Sequence, residues 1–181
     1  MSRVRTLTLV VVSTAALGLA GCSSSSSSSP STTAPVSATP TTSGPPTTIP
    51  TADLSAAGTA GTAPTITVPP GKPPTRLETA DLITGSGPAA KAGDSVTVQY
   101  VLATYSADKE IQSSWTSQPF TFTLGAGKVI PGWDTGVVGM QAGGRRELII
   151  PPSLGYGDQS PGAGIAANDT LVFIVDVLSN N

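Results

Sequence analysis

The sequence contains no histidine and a single cysteine, Cys22, in 181 residues. Without histidine there can be no Ser-His-Asp or Cys-His catalytic group, no imidazole general base and few of the usual zinc ligand sets. A single cysteine also permits no intramolecular disulfide and no cysteine-based metal site. The composition therefore excludes the commonest hydrolytic and metal-dependent chemistries, and we expect neither a metal nor a cofactor.

Charged residues are scarce as well, at 11% of the chain. Eleven acidic residues face nine basic ones, and only seven basic residues remain if Arg3 and Arg5 are removed with a signal sequence. Arg145-Arg146 is the only adjacent pair of cations in the sequence. Because nucleic-acid binding requires a basic surface, we do not expect a nucleic acid as a partner.

The N-terminus has the pattern of an export signal. Arg3 and Arg5 precede an apolar run over 7–20, which is too short to span a bilayer as a helix. The run ends in Leu19-Ala20-Gly21-Cys22, which resembles the bacterial lipobox, where the cysteine carries lipid after cleavage. We therefore predict a signal peptide over 1–21, lipidation at Cys22 and an extracytoplasmic location at the bacterial cell envelope. An ordinary secretory signal with an accidental cysteine fits this position less well.

The segment over 22–74 consists almost entirely of Ser, Thr, Pro, Ala and Gly, and seven consecutive serines follow Cys22. Such a composition buries too little apolar surface to offset its conformational entropy, so we predict a disordered linker. The weakly apolar stretch 63–68 lies between prolines and is expected to remain extended. Two functions fit the segment: a tether that holds a domain away from a membrane, or an O-glycosylated stalk.

From Thr75 onward, apolar residues recur at every second position, which indicates half-buried β-strands. The stretch 129–140 predicts one short helix, with Pro131 near its start and Gly139 near its end. These elements indicate an α+β domain over 75–181, in which an antiparallel sheet carries one helix. The predicted strands are 95–102, 120–124, 145–150 and 170–178.

Several separated motifs in this domain occur in a recognisable order and spacing. They are Gln118-Pro119-Phe120-Thr121-Phe122, Leu124-Gly125, Val129-Ile130-Pro131-Gly132-Trp133, Gly144-Arg145-Arg146, Ile150-Pro151-Pro152, Leu154-Gly155-Tyr156-Gly157 and Asn168-Asp169-Thr170-Leu171-Val172-Phe173. Together they resemble the FKBP-type peptidyl-prolyl cis-trans isomerases over the whole of 75–181. The resemblance implies a twisted antiparallel sheet wrapped around a short helix, with a shallow apolar pocket between them.

The resemblance also implies which residues form the pocket. Trp133 would be its floor, and the backbone N–H of Ile130 and the hydroxyl of Tyr156 would bond substrate carbonyls. For each aromatic residue taken singly, simple core packing is the competing interpretation. Catalytic roles are implied for Tyr100, Phe120, Val129, Ile130, Trp133, Tyr156 and Phe173, and substrate-binding roles for Ile111, Gln112 and Ile165.

Prolyl isomerisation suits a site without a nucleophile, a metal or histidine, because no covalent bond is broken. An X-Pro amide must rotate through a twisted state about 18 to 20 kcal/mol above the planar one. The planar amide is the more polar species, so a dry aromatic pocket raises its free energy relative to the twisted form. Hydrogen bonds that fit the twisted geometry better would add differential binding.

Two positions depart from the family pattern. Where the family carries an aromatic residue and an acid before Ser113-Ser114, this chain has Ile111 and Gln112. An amide in place of a carboxylate removes a charge-assisted acceptor. A second hypothesis is therefore a non-catalytic module of the same fold that binds proline-containing segments or acts as a chaperone. A third is a purely structural envelope lipoprotein.

The partners follow from these inferences. We expect the substrates to be proline-containing segments of exported proteins, and the small-molecule ligands to be macrolides of the tacrolimus and rapamycin kind. The lipid at Cys22 would provide contact with the membrane. A monomer is expected.

Overall fold

The computed structural model describes residues 57–181 and the backbone of Thr47–Thr48. The predicted signal peptide over 1–21, the lipidation site Cys22 and most of the predicted linker lie outside the described residues, so these assignments stay predictions. In the part that is described, we find no helix with the length and apolar character needed to cross a bilayer.

The alternating apolar residues form the predicted antiparallel sheet, which has seven strands in the order β1-β2-β6-β7-β3-β4, with β5 paired to β3 beside β4. Every pairing is antiparallel except that of β1 with β2. The long strands β3 and β7 therefore form the centre of the sheet. The strands are β1 (Thr47–Thr48), β2 (Glu78–Ile83), β3 (Ser95–Thr104), β4 (Lys109–Ser113), β5 (Phe120–Thr123), β6 (Arg145–Ile150) and β7 (Leu171–Asn180).

One helix, α1 (Pro131–Gly136), lies on the inner face of this sheet. Pro131 occupies the first turn, where a missing backbone N–H costs nothing. The helix is shorter than the predicted stretch 129–140, and Gly139 beyond it takes a left-handed conformation with φ of 84°. The buried side chains of Trp133 and Val137 join α1 to the main hydrophobic core.

Two glycines let α1 approach strand β6 closely. A Cβ atom on Gly132 would lie 2.5 Å from Cγ2 of Ile150, and one on Gly136 would lie 2.8 Å from Cδ2 of Leu148. Side chains at positions four apart share one face of a helix. The face with Gly132 and Gly136 is therefore the side of the helix that packs on β6. In this position of the helix, Trp133 lies at the cavity.

The outer face of the sheet is also covered, although alternation predicted strands that are buried on one side. Val101 and Ile174 are almost completely buried there, in contact with Ile66 from the segment 57–68. Ile66 and Val68 pack against a second outer cluster, which contains Ala103, Ile149 and Val172. We call 57–68 the outer-face segment. Its composition did not predict these contacts, and the domain boundary at residue 75 stays a prediction.

A buried ion pair lies under the outer-face segment. Arg145 is fully buried and bonds Asp176 through two hydrogen bonds of 2.7 Å. Its guanidinium also donates to the backbone carbonyls of Ala57 and, at 2.6 Å, Thr62. Burial raises the pKa of Asp176, while the hydrogen bonds and positive charge of Arg145 oppose that shift. The segment thus provides hydrogen-bond acceptors for the buried guanidinium of Arg145.

Candidate active site

An open cavity of about 390 Å³ lies beside the start of α1, on the inner face of the sheet. All the residues predicted to be catalytic line it, together with Gln112 from the predicted substrate-binding set. Gly127 and Lys128 also line it and were not predicted from the sequence. The full lining is Tyr100, Gln112, Phe120, Gly127, Lys128, Val129, Ile130, Trp133, Tyr156 and Phe173.

Trp133 forms the buried end of the cavity, with 4% of its surface exposed. The rings of Phe173 and Tyr100 meet it edge to face, with centroids at 5.2 and 5.4 Å. The ring centroids of Phe122 and Phe120 lie 5.6 and 6.1 Å from that of Trp133. Edge-to-face pairs at these separations are mutually stabilising, so the floor is held from several directions. The indole N–H of Trp133 is buried and has no hydrogen-bond acceptor within the described part of the chain.

The register of the paired strands brings the residues of the cavity wall together. Residues directly opposite each other on paired strands face the same side of a sheet. Leu102, whose side chain is in the inner core, lies opposite Phe173 on β7 and opposite Gln112 on β4. In the same way, Phe120 on β5 lies opposite the core residue Val98. Residues far apart in the sequence are thus directed to one cavity.

Hydrogen bonds to Ser114 hold the backbone of Tyr100 in place. The backbone N–H of Tyr100 donates to the hydroxyl of Ser114 at 2.8 Å, and the N–H of Ser114 donates to the carbonyl of Tyr100 at 3.0 Å. The Ser114 hydroxyl in turn donates to the buried side-chain carbonyl of Gln99. Sequence reasoning gave Ser114 and Gln99 no role, because only the pairing of β3 with β4 places them together.

The two tyrosines of the cavity differ in exposure. Tyr156 follows a 3-10 turn (Pro152–Leu154) and is 37% exposed at the mouth of the cavity. Burial raises the pKa of Tyr100 above its ordinary value, and the neighbouring Tyr156 adds to this shift. Tyr100 therefore stays protonated at neutral pH and can act as a neutral hydrogen-bond donor.

A backbone donor is available where α1 begins. Ile130 is in an extended conformation, and its carbonyl accepts from the N–H of Trp133 at 2.9 Å. The N–H of Ile130 has no backbone acceptor among the residues that the structure describes. Because Ile130 lines the cavity, this unpaired donor can serve a ligand carbonyl.

The turn before Val129 is fixed by the helix. The carboxylate of Asp134 accepts from the N–H of Gly125 and from the N–H of Gly127, each at 2.9 Å. Gly127 has a left-handed φ of 64°, which other residues adopt only with strain. These bonds place Gly127 and Lys128 at the rim of the cavity. The pattern Gly125-Ala126-Gly127 alone could not reveal this, since the second partner of each bond lies in the helix.

Two predicted substrate-binding residues lie outside the cavity wall. Ile165 is 6% exposed and belongs to the main core, and Ile111 packs against that core. A Cβ atom on Gly164 would lie 3.7 Å from Cγ2 of Ile111, so Ile111 lies close to the loop that carries Ile165. Their contact with substrate stays a prediction. Trp115, for which the sequence allowed either a rim or a loop-anchoring position, packs on the outer face with Val101.

The cavity lining supplies groups for binding and polarisation. In the described ranges, no cluster of His, Cys, Asp and Glu could hold a metal ion. The lining offers aromatic surface, backbone N–H groups such as that of Ile130, tyrosine hydroxyls, an amide and the ammonium group of Lys128. Such a site can enclose an apolar ring and hydrogen-bond the carbonyls beside it. The fold and cavity thus define a small sheet-and-helix domain whose aromatic cavity can accept an apolar ring flanked by amides.

Comparison with known proteins identifies the family. The family model described as FKBP-type peptidyl-prolyl cis-trans isomerase matches residues 87–178. The chain therefore belongs to this family, and it is a peptidyl-prolyl cis-trans isomerase of the FKBP type. This confirms the resemblance that the separated sequence motifs indicated.

Individual relatives agree with the family assignment. The FK506-binding protein of Streptomyces anulatus is 48% identical over 118 residues, which are 64% of this chain and 95% of that protein. A probable FK506-binding protein of Corynebacterium glutamicum is 40% identical over 117 residues, 64% of this chain and 97% of its own. The crystal structure of FkpA from Escherichia coli matches with a TM-score of 0.53 and 38% identity, covering 61% of this chain and 51% of that one.

Proposed function

We propose that this isomerase acts on proline-containing segments of exported proteins at the bacterial cell envelope, where lipid on Cys22 anchors it. The support for the location is the N-terminal sequence, with Arg3 and Arg5, a short apolar run and the Leu19-Ala20-Gly21-Cys22 motif. The described domain supplies the activity, and the predicted linker joins it to the lipid.

One observation carries the proposed mechanism: an aromatic floor, Trp133, lies beside the unpaired backbone N–H of Ile130. The substrate proline packs its ring on the indole of Trp133, between the rings of Tyr100 and Phe173. Water is displaced from the amide as the ring enters. Because the planar amide is more polar than the twisted one, this loss of water raises the ground state more than the transition state.

Hydrogen bonds then favour the twisted amide. The N–H of Ile130 donates to a substrate carbonyl on one side of the proline, and the hydroxyl of Tyr156 donates to a carbonyl on the other. The rotation barrier in water is about 18 to 20 kcal/mol. Only the part of each interaction that is stronger in the twisted geometry lowers that barrier. The neutral hydroxyl of Tyr100 adds a donor to the wall.

Gln112 replaces a carboxylate in the cavity wall without removing its hydrogen-bonding capacity. Its amide can both donate and accept. We infer that Gln112 orients substrate more weakly than a carboxylate would. Gln112→Asp is therefore expected to raise kcat/KM, by about threefold, because hydrogen bonds to a charged acceptor are stronger.

The same cavity is proposed to bind macrolides of the tacrolimus and rapamycin kind. The Streptomyces and Corynebacterium relatives are named for binding FK506. A cavity of about 390 Å³ suits the enclosure of part of such a ligand, with the remainder outside. The residues of one chain suffice to line the cavity, so the proposed activity does not require a second copy and the protein is proposed to act as a monomer.

The activity is tested by the cis-to-trans rate of a short X-Pro peptide with the whole chain and with Trp133→Ala. We expect acceleration by the unaltered chain, competition by a macrolide, and loss of the acceleration in the variant. If peptide binds saturably without acceleration, and Gln112→Asp does not produce it, the chain is a binding module rather than a working isomerase.

The location is tested separately, by fractionation of bacterial cells that express the chain. We expect it in the membrane fraction, and a Cys22→Ser variant in the soluble fraction outside the cytoplasm. Equal partition of the two variants would contradict the lipid anchor and leave the isomerase activity unaffected.

A further inference from the structure

The charge at the rim of the cavity is carried by one side chain. Lys128 is the only residue of the cavity lining with a formal charge, and no carboxylate lies among the lining residues. Gln112, in the wall, is neutral. A peptide that enters this cavity therefore meets one positively charged side chain in a lining that is otherwise neutral and largely aromatic.

The backbone of Lys128 is held in place while its side chain stays free. The turn that precedes it is pinned by the bonds from Gly125 and Gly127 to Asp134, and Lys128 itself is exposed. Both carboxylate oxygens of Asp134 already accept backbone N–H groups. The ion pairs found in the described part of the chain involve Arg145 and Arg146, not Lys128.

The position of Lys128 relative to the substrate follows from its place in the sequence. Lys128 lies two residues before Ile130, whose N–H is proposed to bond a carbonyl next to the substrate proline. Two residues span at most about 7 Å even when the chain is fully extended, which is within the reach of a lysine side chain. The ammonium group can therefore meet the side chain of a residue adjacent to the proline.

We propose that Lys128 gives this isomerase a preference for substrates with an acidic side chain next to the isomerised proline. The inference rests on the proposed function, because it specifies the substrate class of the same cavity. A carboxylate beside the proline gains an ion pair at the rim, a neutral residue gains nothing there, and a lysine is repelled. The isoelectric point of about 4.8 makes the chain as a whole acidic, so the preference is local to the rim.

The expected size is modest, because the pair is exposed to solvent. Exposed ion pairs typically change an equilibrium by a factor of about 2 to 5 at low salt. We therefore expect kcat/KM to be about threefold higher for a Glu peptide than for its Gln counterpart, and lower again for Lys. The preference should disappear near 1 M salt, where the Debye length is about 3 Å.

The test uses the whole chain and two peptide series, with Glu, Gln or Lys either before or after the proline. The measured quantity is the ratio of kcat/KM for the Glu and Gln peptides. Lys128→Gln should bring this ratio to about one, and Lys128→Glu should invert it. Lys72→Gln removes the same charge from an exposed position away from the cavity, and it should keep the ratio of the unaltered chain.

The outcomes separate this inference from the proposed function. A Glu preference in either series that is lost with Lys128 and with salt supports the inference. Turnover with equal rates for Glu, Gln and Lys peptides in both series overturns it while the isomerase assignment stands. A preference that survives in Lys128→Gln also overturns it. Absence of turnover with every peptide contradicts the proposed function instead.

Discussion

Trp133 contacts four other aromatic rings and is buried at the end of the cavity. Removal of such a side chain loses apolar burial and leaves a void, whereas removal of a hydroxyl at the cavity mouth loses one hydrogen bond. The two kinds of contact therefore contribute unequally to the site.

We expect Trp133→Ala to lower kcat/KM more than Tyr156→Phe does. The loss of one hydrogen bond corresponds to about 1 kcal/mol, or roughly a fivefold change. The loss of the floor should exceed a hundredfold, and it should destabilise the domain by about 3 to 5 kcal/mol. The measurements are peptide isomerisation and urea unfolding. Trp133→Leu, which keeps apolar bulk, separates folding from activity, and equal losses of activity in Trp133→Leu and Tyr156→Phe would contradict the floor role.

Tyr100 links the cavity to stability at alkaline pH. Its pKa is raised in the folded state, by burial first and by Tyr156 second. In the unfolded chain this tyrosine has an ordinary pKa near 10, so it ionises at a lower pH than in the folded domain. The contribution of Tyr100 to the unfolding free energy is therefore complete below about pH 10 and is lost as the pH rises through the folded pKa. We expect the unfolding free energy to fall less over this range in Tyr100→Phe. An equal fall in both proteins, in urea unfolding at stepped pH, would refute it.

At the scale of elements, the contact between α1 and β6 depends on two positions without side chains. Gly132 and Gly136 each leave too little room for a Cβ atom against Ile150 and Leu148. A methyl group there must displace either the helix or the strand residues. The helix carries Trp133, so a displacement would also move the floor of the cavity.

We expect Gly132→Ala to destabilise the domain by about 1 to 3 kcal/mol, despite the higher helix propensity of alanine. Thr135→Ala, at an exposed position of the same helix, should have little effect. In the double variant with Ile150→Ala, the loss should be smaller than the sum of the single losses, because the crowded atoms belong to Ile150. Additive losses by urea unfolding would show that the strain lies elsewhere.

Strand alternation predicted β3, β5, β6 and β7 to within a few residues, because each strand sends apolar side chains from alternate positions into the inner core. It did not predict β2 or β4. The sequence of β4, Lys-Glu-Ile-Gln-Ser, carries one apolar residue and lies at a sheet edge with exposed side chains. An edge strand of this kind forms through backbone pairing, and that leaves little pattern in the sequence.

The site was predicted in part for a similar reason. The family motifs located the aromatic wall, Ile130 and Tyr156. They did not locate Lys128, whose position depends on the turn held by Asp134, or Ser114, whose partner Gln99 lies on another strand. Hydrogen bonds that form only once the turn, the helix and the strands are in place cannot be predicted from the spacing of residues in the sequence.

At the scale of the whole molecule, the outer-face segment is expected to be part of the folded domain. Residues 57–181 should be more stable than 75–181 by at least about 2 kcal/mol, because the shorter chain exposes apolar outer-face residues and unpairs donors of the buried Arg145. Urea unfolding of both chains tests this. Ile66→Ser should lose part of that stability, and Thr67→Ser, at an exposed neighbouring position, should lose little. Equal urea midpoints for 57–181 and 75–181 would contradict a role of the outer-face segment in stability.

The outer-face segment lies on the side of the sheet opposite the cavity. It crosses the face of the sheet that carries Val101 and Ile174, while the cavity opens on the face that carries Tyr100 and Phe173. The backbone of this segment is bonded to the fully buried Arg145 through the carbonyls of Ala57 and Thr62, so its position behind the sheet is fixed. An incoming polypeptide therefore reaches the cavity without meeting the outer-face segment.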